Sequence, residues 1–242
     1  MNDLMHLFAT EVASDQPNRP PRDAATLILV DRSGAEPRVL LGRRHKSHVF
    51  VPGALVFPGG RVDPADRLMP TATPLHPKAE AALMRRTHRP SPAKARALAL
   101  AAIRETFEET GILLGKRQAQ LPQAPDGPWS AFARAGILPD LSRIHFIARA
   151  VTPPRRPRRY DTRFFAAEVS AIADRVEGVV GPDAELVELL WLTFDEAASL
   201  DLLAVTKLAL LDLRARIEAG LDPALPVPYY RVLYGRRLRE ML

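Results

Sequence analysis

Short apolar runs and longer amphipathic stretches alternate along this chain, and they predict a mixture of strands and helices. Apolar runs bounded by turn residues predict strands at 25–30, 38–43, 54–57, 144–151, 162–167 and 185–192. The first two strands flank the turn-forming segment 31–37 and are expected to form a hairpin. Helical spacing predicts helices at 77–87, 92–110, 128–136 and 202–219, with another opening at Asp195 and a loop at 116–127. This order predicts an α/β fold.

The helix at 92–110 carries start and stop signals. Ser91 is a good N-cap, Pro92 suits the first helical position, and Gly111 suits the left-handed residue that ends a helix. One flank of this helix is apolar and formed by Leu100, Ile103, Phe107 and Thr110. We therefore expect this flank to be buried and the opposite flank to face a ligand.

Three glutamates share that opposite flank. Glu105, Glu108 and Glu109 stand at i, i+3 and i+4, where each like-charged pair costs an isolated helix about 0.2–0.5 kcal/mol. A hard divalent cation such as Mg²⁺ or Mn²⁺ would offset this repulsion, because such ions prefer carboxylate and carbonyl oxygens. The alternative is a solvated helix whose glutamates only face water.

The chain resembles the Nudix hydrolases at these residues. Their signature reads G-x5-E-x7-R-E-U-x-E-E-x-G-U, where U is a bulky aliphatic residue, and residues 104–112 match its second half with Thr106 as a soft mismatch. Upstream, the sequence Phe-Pro-Gly-Gly ends at Gly60, and Asp66 stands where the family has glutamate. The signature places seven residues between this acid and Arg104, whereas this chain has 37. The motif is thus split, in a way similar to the branch that includes peroxisomal coenzyme A diphosphatases.

The resemblance implies an α/β/α sandwich around a mixed β-sheet. We expect a single domain over residues 1–242, with a core at about 23–200, an insertion inside the motif at about 67–91, and a C-terminal helix and tail at about 202–242. The residues before about 22 are expected to form a tail or a short leading helix. The insertion is expected to cover the active-site mouth, to pack on the domain, or to contact a second copy. The proline-punctuated end is expected to pack back on the domain or on a second copy.

The resemblance also implies metal ligands and catalytic groups. Mg²⁺ or Mn²⁺ would be held by Glu105, Glu108, Glu109 and the carbonyl of Gly60. Arg104 would steady the carboxylates through a charge-assisted hydrogen bond. An acidic residue before a late strand, with Glu185 the candidate and Glu188 the alternate, would help bind metal or take the proton from water.

Arginines supply the candidate substrate contacts. The run from 155 to 159 holds four of them, and forked, permanently charged guanidinium groups suit a diphosphate or a ribose phosphate. The substrate-binding candidates are Arg61, Arg155, Arg156, Arg158 and Arg159. A solvated arginine loop is an equal alternative for the run. For the basic stretch 43–48 we favour a solvated loop over direct substrate contact.

Composition narrows the setting without deciding the function. A net charge of +6 and a sequence pI of about 10.0 favour phosphorylated metabolites and nucleic acids equally. Aromatic residues are only 6% of the chain and none interleaves the arginine run, so we do not expect a nucleic-acid binder. The absence of cysteine excludes disulfides and thiolate metal sites. With no secretory signal pattern and no apolar run long enough to span a bilayer, we expect a cytoplasmic protein.

The function implied by the resemblance is metal-dependent hydrolysis of the diphosphate bond in a nucleoside diphosphate linked to another moiety. The split motif suggests coenzyme A or acyl-CoA as the substrate, and ADP-ribose or an NADH-type dinucleotide is the alternative. A non-catalytic nucleotide-binding regulator with the same fold is a further alternative. Its usual mark is a lost glutamate, and none is lost here. The sequence leaves a homodimer open.

Overall fold

A computed structural model of the chain describes residues 17–47 and 52–242. The expected leading tail lies outside these residues up to position 16, as does His48 of the basic stretch. The strands are β1 (Arg22–Asp31), β2 (Arg38–Arg44), β3 (Leu55–Val56), β4 (Gly59–Arg61), β5 (Ile112–Leu114), β6 (Lys116–Arg117), β7 (Ile137–Leu138), β8 (His145–Val151), β9 (Tyr160–Glu168), β10 (Ile172–Arg175), β11 (Leu186–Thr193), β12 (Pro228–Leu233) and β13 (Arg236–Met241). The helices are α1 (Pro77–Met84), α2 (Pro92–Thr110), α3 (Trp129–Arg134), α4 (Phe194–Ser199) and α5 (Ala204–Glu218).

Within the described ranges, nine strands form one mixed sheet. Its order is β11-β2-β1-β9-β8-β12-β13, with β3 paired to β2 and β4 paired to β1. The β1–β9 and β8–β12 pairs are parallel, and the other pairs are antiparallel. The expected mixed α/β fold is therefore confirmed.

The neighbouring strands β1 and β2 separate along most of their length, and the gap between them positions the site. β1 and β2 pair only at Val30 with Val39 and at Asp31 with Arg38, next to their connecting turn. Farther from the turn, β4 pairs with β1 and β3 pairs with β2, so the segment between them fills the gap. The tight Phe-Pro-Gly-Gly turn thus lies in the middle of the sheet rather than at its edge.

Two apolar cores cover the two faces of the sheet, as strand alternation requires. Leu27 and Leu29 of β1 pack in the core that includes α1, α2 and α3, whereas Ile28 and Val30 pack in the core that includes α4 and α5. The layers are therefore helices, sheet and helices. The acidic helix α2 belongs to the first face.

Helix α2 begins and ends where its sequence signals predict. The side chain of Ser91 accepts a hydrogen bond from the N–H of Lys94 at 3.1 Å. Gly111 has a φ of 75°, and a Cβ there would lie 2.0 Å from the carbonyl oxygen of Val176. A residue with a side chain would therefore be excluded at the C-terminal end of α2 by both conformation and space.

The C-terminal part of the chain differs from the predicted helical extension. Helix α5 lies within the predicted range, but the tail then forms the β12–β13 hairpin, which extends the sheet beside β8. The sheet therefore gains two strands beyond the one predicted at 185–192, in the segment that was expected to be a tail. The predicted loop at 116–127 likewise begins with β6, which pairs with β7. No described helix is both long and apolar enough to span a bilayer.

Candidate active site

A cavity of about 760 Å³ opens beside β4, where β4 fills the gap between β1 and β2. Glu105 and Glu109 reach it from α2, and Gly59 and Gly60 form part of its wall. The N–H of Gly59 donates to Oε1 of Glu109 at 3.3 Å. A Cβ on Gly60 would lie 2.5 Å from the carboxyl carbon of Glu105. The glycine turn is therefore required for the glutamates to approach the backbone so closely.

Arg104 does not line the cavity, and its guanidinium group binds the acidic side chains around it. Its Nη1 donates to Oε1 of Glu105 at 2.8 Å and to Oε1 of Glu108 at 2.7 Å. Its Nη2 donates to the carbonyl oxygen of Arg61 at 2.7 Å, which ties α2 to β4. Burial lowers the pKa of Arg104, but Asp66 and the two glutamates raise it more, so the net pKa lies above the ordinary value. Its predicted steadying contact with the carboxylates is present in the structure.

Asp66 is the partner that holds Arg104 from the other side. Its two carboxylate oxygens accept from Nε of Arg104 at 2.7 Å and from Nη2 at 3.1 Å. Asp66 is fully buried and also accepts from the indole N–H of Trp129 at 3.2 Å and from the N–H of Asp63 at 2.7 Å. The residue that replaces the family's glutamate therefore positions the arginine, and the long insertion does not separate them in space.

Glu109 is the most perturbed acid in the cavity. Burial raises its pKa well above the ordinary value, and the negative charges of Glu185 and Glu105 raise it further. Arg44 and the N–H of Gly59 act in the opposite direction and do not cancel the shift. Oε2 of Glu109 is buried and has no hydrogen-bond partner among the residues that the structure describes. A buried, unpaired carboxylate oxygen is costly unless a proton or a cation joins it.

Glu105 shows the same effect more weakly. Burial raises its pKa to about 6, although the charge and hydrogen bond of Arg104 lower it. The negative charge of Glu108 adds to the rise. Burial and nearby carboxylates raise the pKa of both Glu105 and Glu109. A positive charge placed beside them would therefore be stabilising.

Glu185 lies in the cavity, whereas Glu188 does not. Glu185 precedes β11, lines the cavity and lies 3.5 Å from Nη1 of Arg44. Glu188 points to Arg43, with 2.9 Å between Oε2 and Nε. Arg44 itself lines the cavity and its side chain is only 11% exposed, so the solvated-loop interpretation was wrong for this residue. Its position in β2, opposite Leu186 of β11, could not be read from the local basic run.

The arginine candidates separate into two groups. Arg61, Arg158 and Arg159 line the cavity, whereas Arg155 and Arg156 are not among its lining residues. Arg19 and Arg22, which are not among the predicted substrate contacts, also line it. Strand alternation could have identified Arg22, because Arg22, Ala24 and Thr26 are two residues apart and lie on one face of β1.

The donor set suits a hard divalent cation, although the glutamates do not form a complete cluster. In the ranges 17–47 and 52–242, no three acidic or histidine side chains lie close enough together to make a ready metal site. Glu108 turns toward Arg104 and does not line the cavity, so its assignment as a metal ligand stays a prediction. The unpaired buried oxygen of Glu109, beside Glu105, nevertheless fits a Mg²⁺ or Mn²⁺ ion.

Comparison with known proteins found related sequences and similar solved structures. The crystal structure of a NUDIX hydrolase from Alicyclobacillus acidocaldarius is 32% identical, with 86% of each chain covered and a TM-score of 0.54. No protein-family model matches the chain.

Two curated relatives match part of their length. The chain is 30% identical over 210 residues to the acyl-coenzyme A diphosphatase NUDT19 of Gallus gallus, covering 66% of this chain and 54% of that protein. It is 27% identical over 156 residues to the putative nudix hydrolase 7 of Caenorhabditis elegans, covering 60% and 43%. The chain spans about half the length of these curated relatives.

Proposed function

The chain belongs to the Nudix hydrolase family, and on that premise we propose that it cleaves the diphosphate bond of a nucleoside diphosphate linked to another moiety. The observation that carries this proposal is the buried Oε2 of Glu109, which has no partner within 17–47 and 52–242 and lies beside Glu105 in an arginine-lined cavity. Diphosphates need positive charge around them. Guanidinium groups provide it directly, and the carboxylates provide it by holding a dication.

Nudix hydrolases generally use divalent metal ions, and we propose Mg²⁺ or Mn²⁺ for this chain. Glu105 and Glu109 would be the principal ligands, with the carbonyl of Gly60 beside them. Glu108 would join them by leaving its 2.7 Å contact with Arg104. When bound, the ion would neutralise phosphate oxygens and lower the pKa of water.

The chain's own residues would position the reactants and move the proton. We assign to Glu185 the acceptance of the proton from the attacking water, because it is a carboxylate in the same cavity as Glu105 and Glu109. The water oxygen forms a bond to one phosphorus while the bridging oxygen leaves with the other phosphate. Arg104 keeps Glu105 in place through their 2.8 Å contact, and Asp66 keeps Arg104 in place.

Coenzyme A or an acyl-CoA is the first substrate to test. This choice is supported by the 30% identity to a protein named as an acyl-coenzyme A diphosphatase. ADP-ribose and NADH are the alternative diphosphates, and the arginine side of the cavity suits the phosphates of all of them.

The experiment is a panel of these compounds incubated with Mg²⁺ or Mn²⁺ in ¹⁸O-labelled water, with products read by mass. Hydrolysis would yield two phosphate monoesters, one of them labelled, and the labelled product identifies the attacked phosphorus. Glu109→Gln should abolish most of the turnover, whereas the exposed Glu218→Gln, which removes the same charge far along α5, should not. Equal turnover by both variants, or none by the wild type on any diphosphate, would overturn the proposal.

A further inference from the structure

Two parallel strands, β1 and β9, form the floor of the cavity. Arg22, Ala24 and Thr26 of β1 line the cavity together with Tyr160, Thr162 and Phe164 of β9. These residues alternate along each strand and pair in register, Arg22 with Tyr160 and Thr26 with Phe164. They therefore lie on one face of the sheet and mark positions along the cavity.

The acidic residues and the arginines lie at different positions along these two strands. Thr26 pairs with Gly59, whose N–H binds Glu109, so Thr26 marks the acidic end. Arg22 lies four residues away on the same strand, about 13 Å at about 3.3 Å per residue. Arg61 pairs with Ala24 between the two ends. The backbone of Arg22 therefore lies farther from the acidic end than the length of one diphosphate group.

The arginine end consists of Arg19, Arg22 and Arg158. All three are exposed, and within the part of the chain that the structure describes their side chains make no hydrogen bond or ion pair. Most buried or half-buried arginines of this protein have such partners, as Arg104, Arg149 and Arg163 do. Three positive charges that line the same cavity repel one another, and an anion with several oxygens would offset this repulsion.

Arg159 holds this end together. Its Nη1 donates to Oδ1 of Asn18 at 2.7 Å and to the carbonyl oxygen of Arg19 at 2.6 Å, and its Nε donates to the carbonyl oxygen of Thr152 at 3.2 Å. The N–H of Arg22 donates to the carbonyl oxygen of Arg159 at 2.9 Å. The segment before β1 and the loop before β9 are thus joined, so the guanidinium groups are presented from a braced backbone.

We propose that Arg19, Arg22 and Arg158 form a second anion subsite that recognises a phosphate monoester of the substrate, remote from the diphosphate that is cleaved. This proposal deepens the proposed function and rests on it. It predicts that the preferred substrates are nucleoside diphosphate derivatives with an additional phosphate on the nucleoside. Forked guanidinium groups bind phosphate oxygens through paired, charge-assisted hydrogen bonds.

The test is equilibrium binding by calorimetry in EDTA, which needs neither metal nor turnover. The probes are adenosine 3′,5′-bisphosphate, adenosine 2′,5′-bisphosphate and adenosine 5′-monophosphate. The wild type should bind at least one bisphosphate about tenfold or more tightly than the monophosphate, the scale of one charge-assisted hydrogen bond. In Arg19→Ala/Arg158→Ala this ratio should fall toward one. The matched control Arg134→Ala/Arg236→Ala removes two exposed arginines that do not line the cavity and should keep the ratio.

The outcomes separate this inference from the proposed function. A ratio near one in the wild type, or a ratio that survives in Arg19→Ala/Arg158→Ala, overturns the subsite even if diphosphates are hydrolysed. A ratio that collapses only in the cavity variant supports the subsite even if no diphosphate on the panel is cleaved. Comparing hydrolysis of coenzyme A with that of 3′-dephospho-coenzyme A then shows whether the same ratio governs kcat/KM.

Discussion

Asp66 grips Arg104 with both carboxylate oxygens, although 37 residues separate them in the chain. The insertion lies between them in sequence, yet the chain before it and the chain after it meet at this contact. Helix α1 packs against α2, and Arg96 of α2 donates to the carbonyl oxygens of Met69 and Arg67 within the insertion. The two halves of the split motif are therefore rejoined by a buried ion pair rather than by sequence proximity.

Asp66→Asn should destabilise the protein strongly. The variant keeps the side chain's size but leaves a buried guanidinium without its main counter-charge, which costs about 3–5 kcal/mol when a buried pair is broken. Asp174→Asn is the matched control, because it breaks an exposed ion pair with Arg117 that solvent screens, so its loss should be much smaller. Urea unfolding midpoints measure both. A similar small loss in the two variants would show that the Asp66–Arg104 pair does not hold the site.

Gly60→Ala and Gly59→Ala should separate activity from stability. A Cβ at position 60 meets the movable end of Glu105 at 2.5 Å, so the fold should tolerate it while turnover falls. A Cβ at position 59 lies 2.7 Å from the carbonyl oxygen of Ala25, which is backbone and cannot move aside. Gly59→Ala should therefore lose about 1–3 kcal/mol of unfolding free energy, as overpacking does. Thermal unfolding and kcat test this pair, and the reverse pattern would contradict the geometry.

Glu109→Gln should stabilise the metal-free protein at high pH. Because the folded-state pKa of Glu109 is raised, the carboxyl ionises more readily in the unfolded chain. The acid therefore lowers the unfolding free energy once the pH exceeds its ordinary pKa of 4.5, and the penalty grows until the raised folded pKa is passed. In EDTA the variant should be more stable than the wild type at pH 8 and nearly equal to it at pH 4. A constant difference at both pH values would refute the assigned cause.

Glu185→Gln and Glu188→Gln should differ in turnover. Glu185 shares the cavity with Glu105 and Glu109, whereas Glu188 is paired with Arg43 on the other side of β11. Loss of a general base lowers kcat by about 10²–10⁴-fold. We expect a loss of this size in Glu185→Gln and a change of less than about twofold in Glu188→Gln, measured by product release with Mg²⁺. A larger loss in Glu188→Gln would transfer the role to that residue.

Local signals predicted the elements better than the contacts between them. Helix α2 could be predicted to the residue because Ser91, Pro92 and Gly111 act on their own backbone neighbours. The glutamate trio was predicted as one group, yet only Glu105 and Glu109 line the cavity, whereas Glu108 turns to Arg104, whose orientation depends on Asp66 far upstream. Helical spacing gives the flank on which a side chain lies but not which distant partner turns it.

Long-range register explains the other differences. Arg44 enters the cavity because β2 pairs with β11, which sets Glu185 beside it, and neither local sequence reveals that pairing. The tail after α5 shows two short runs separated by Gly235, with many arginines and no strong alternation. Its strands form because β8 offers an open parallel edge to β12. Such an edge exists only once the rest of the sheet has formed.

We propose that Glu105 and Glu109 together hold a divalent cation beside the glycine turn, and every role assigned to the cavity depends on this ion. The most direct measurement is anomalous diffraction from crystals soaked in Mn²⁺, with crystals of Glu109→Gln soaked in the same way. We expect a manganese peak within coordination distance of both carboxylates in the wild type and a much weaker peak or none in the variant. A wild-type map without a peak there, or equal peaks in both proteins, would contradict it.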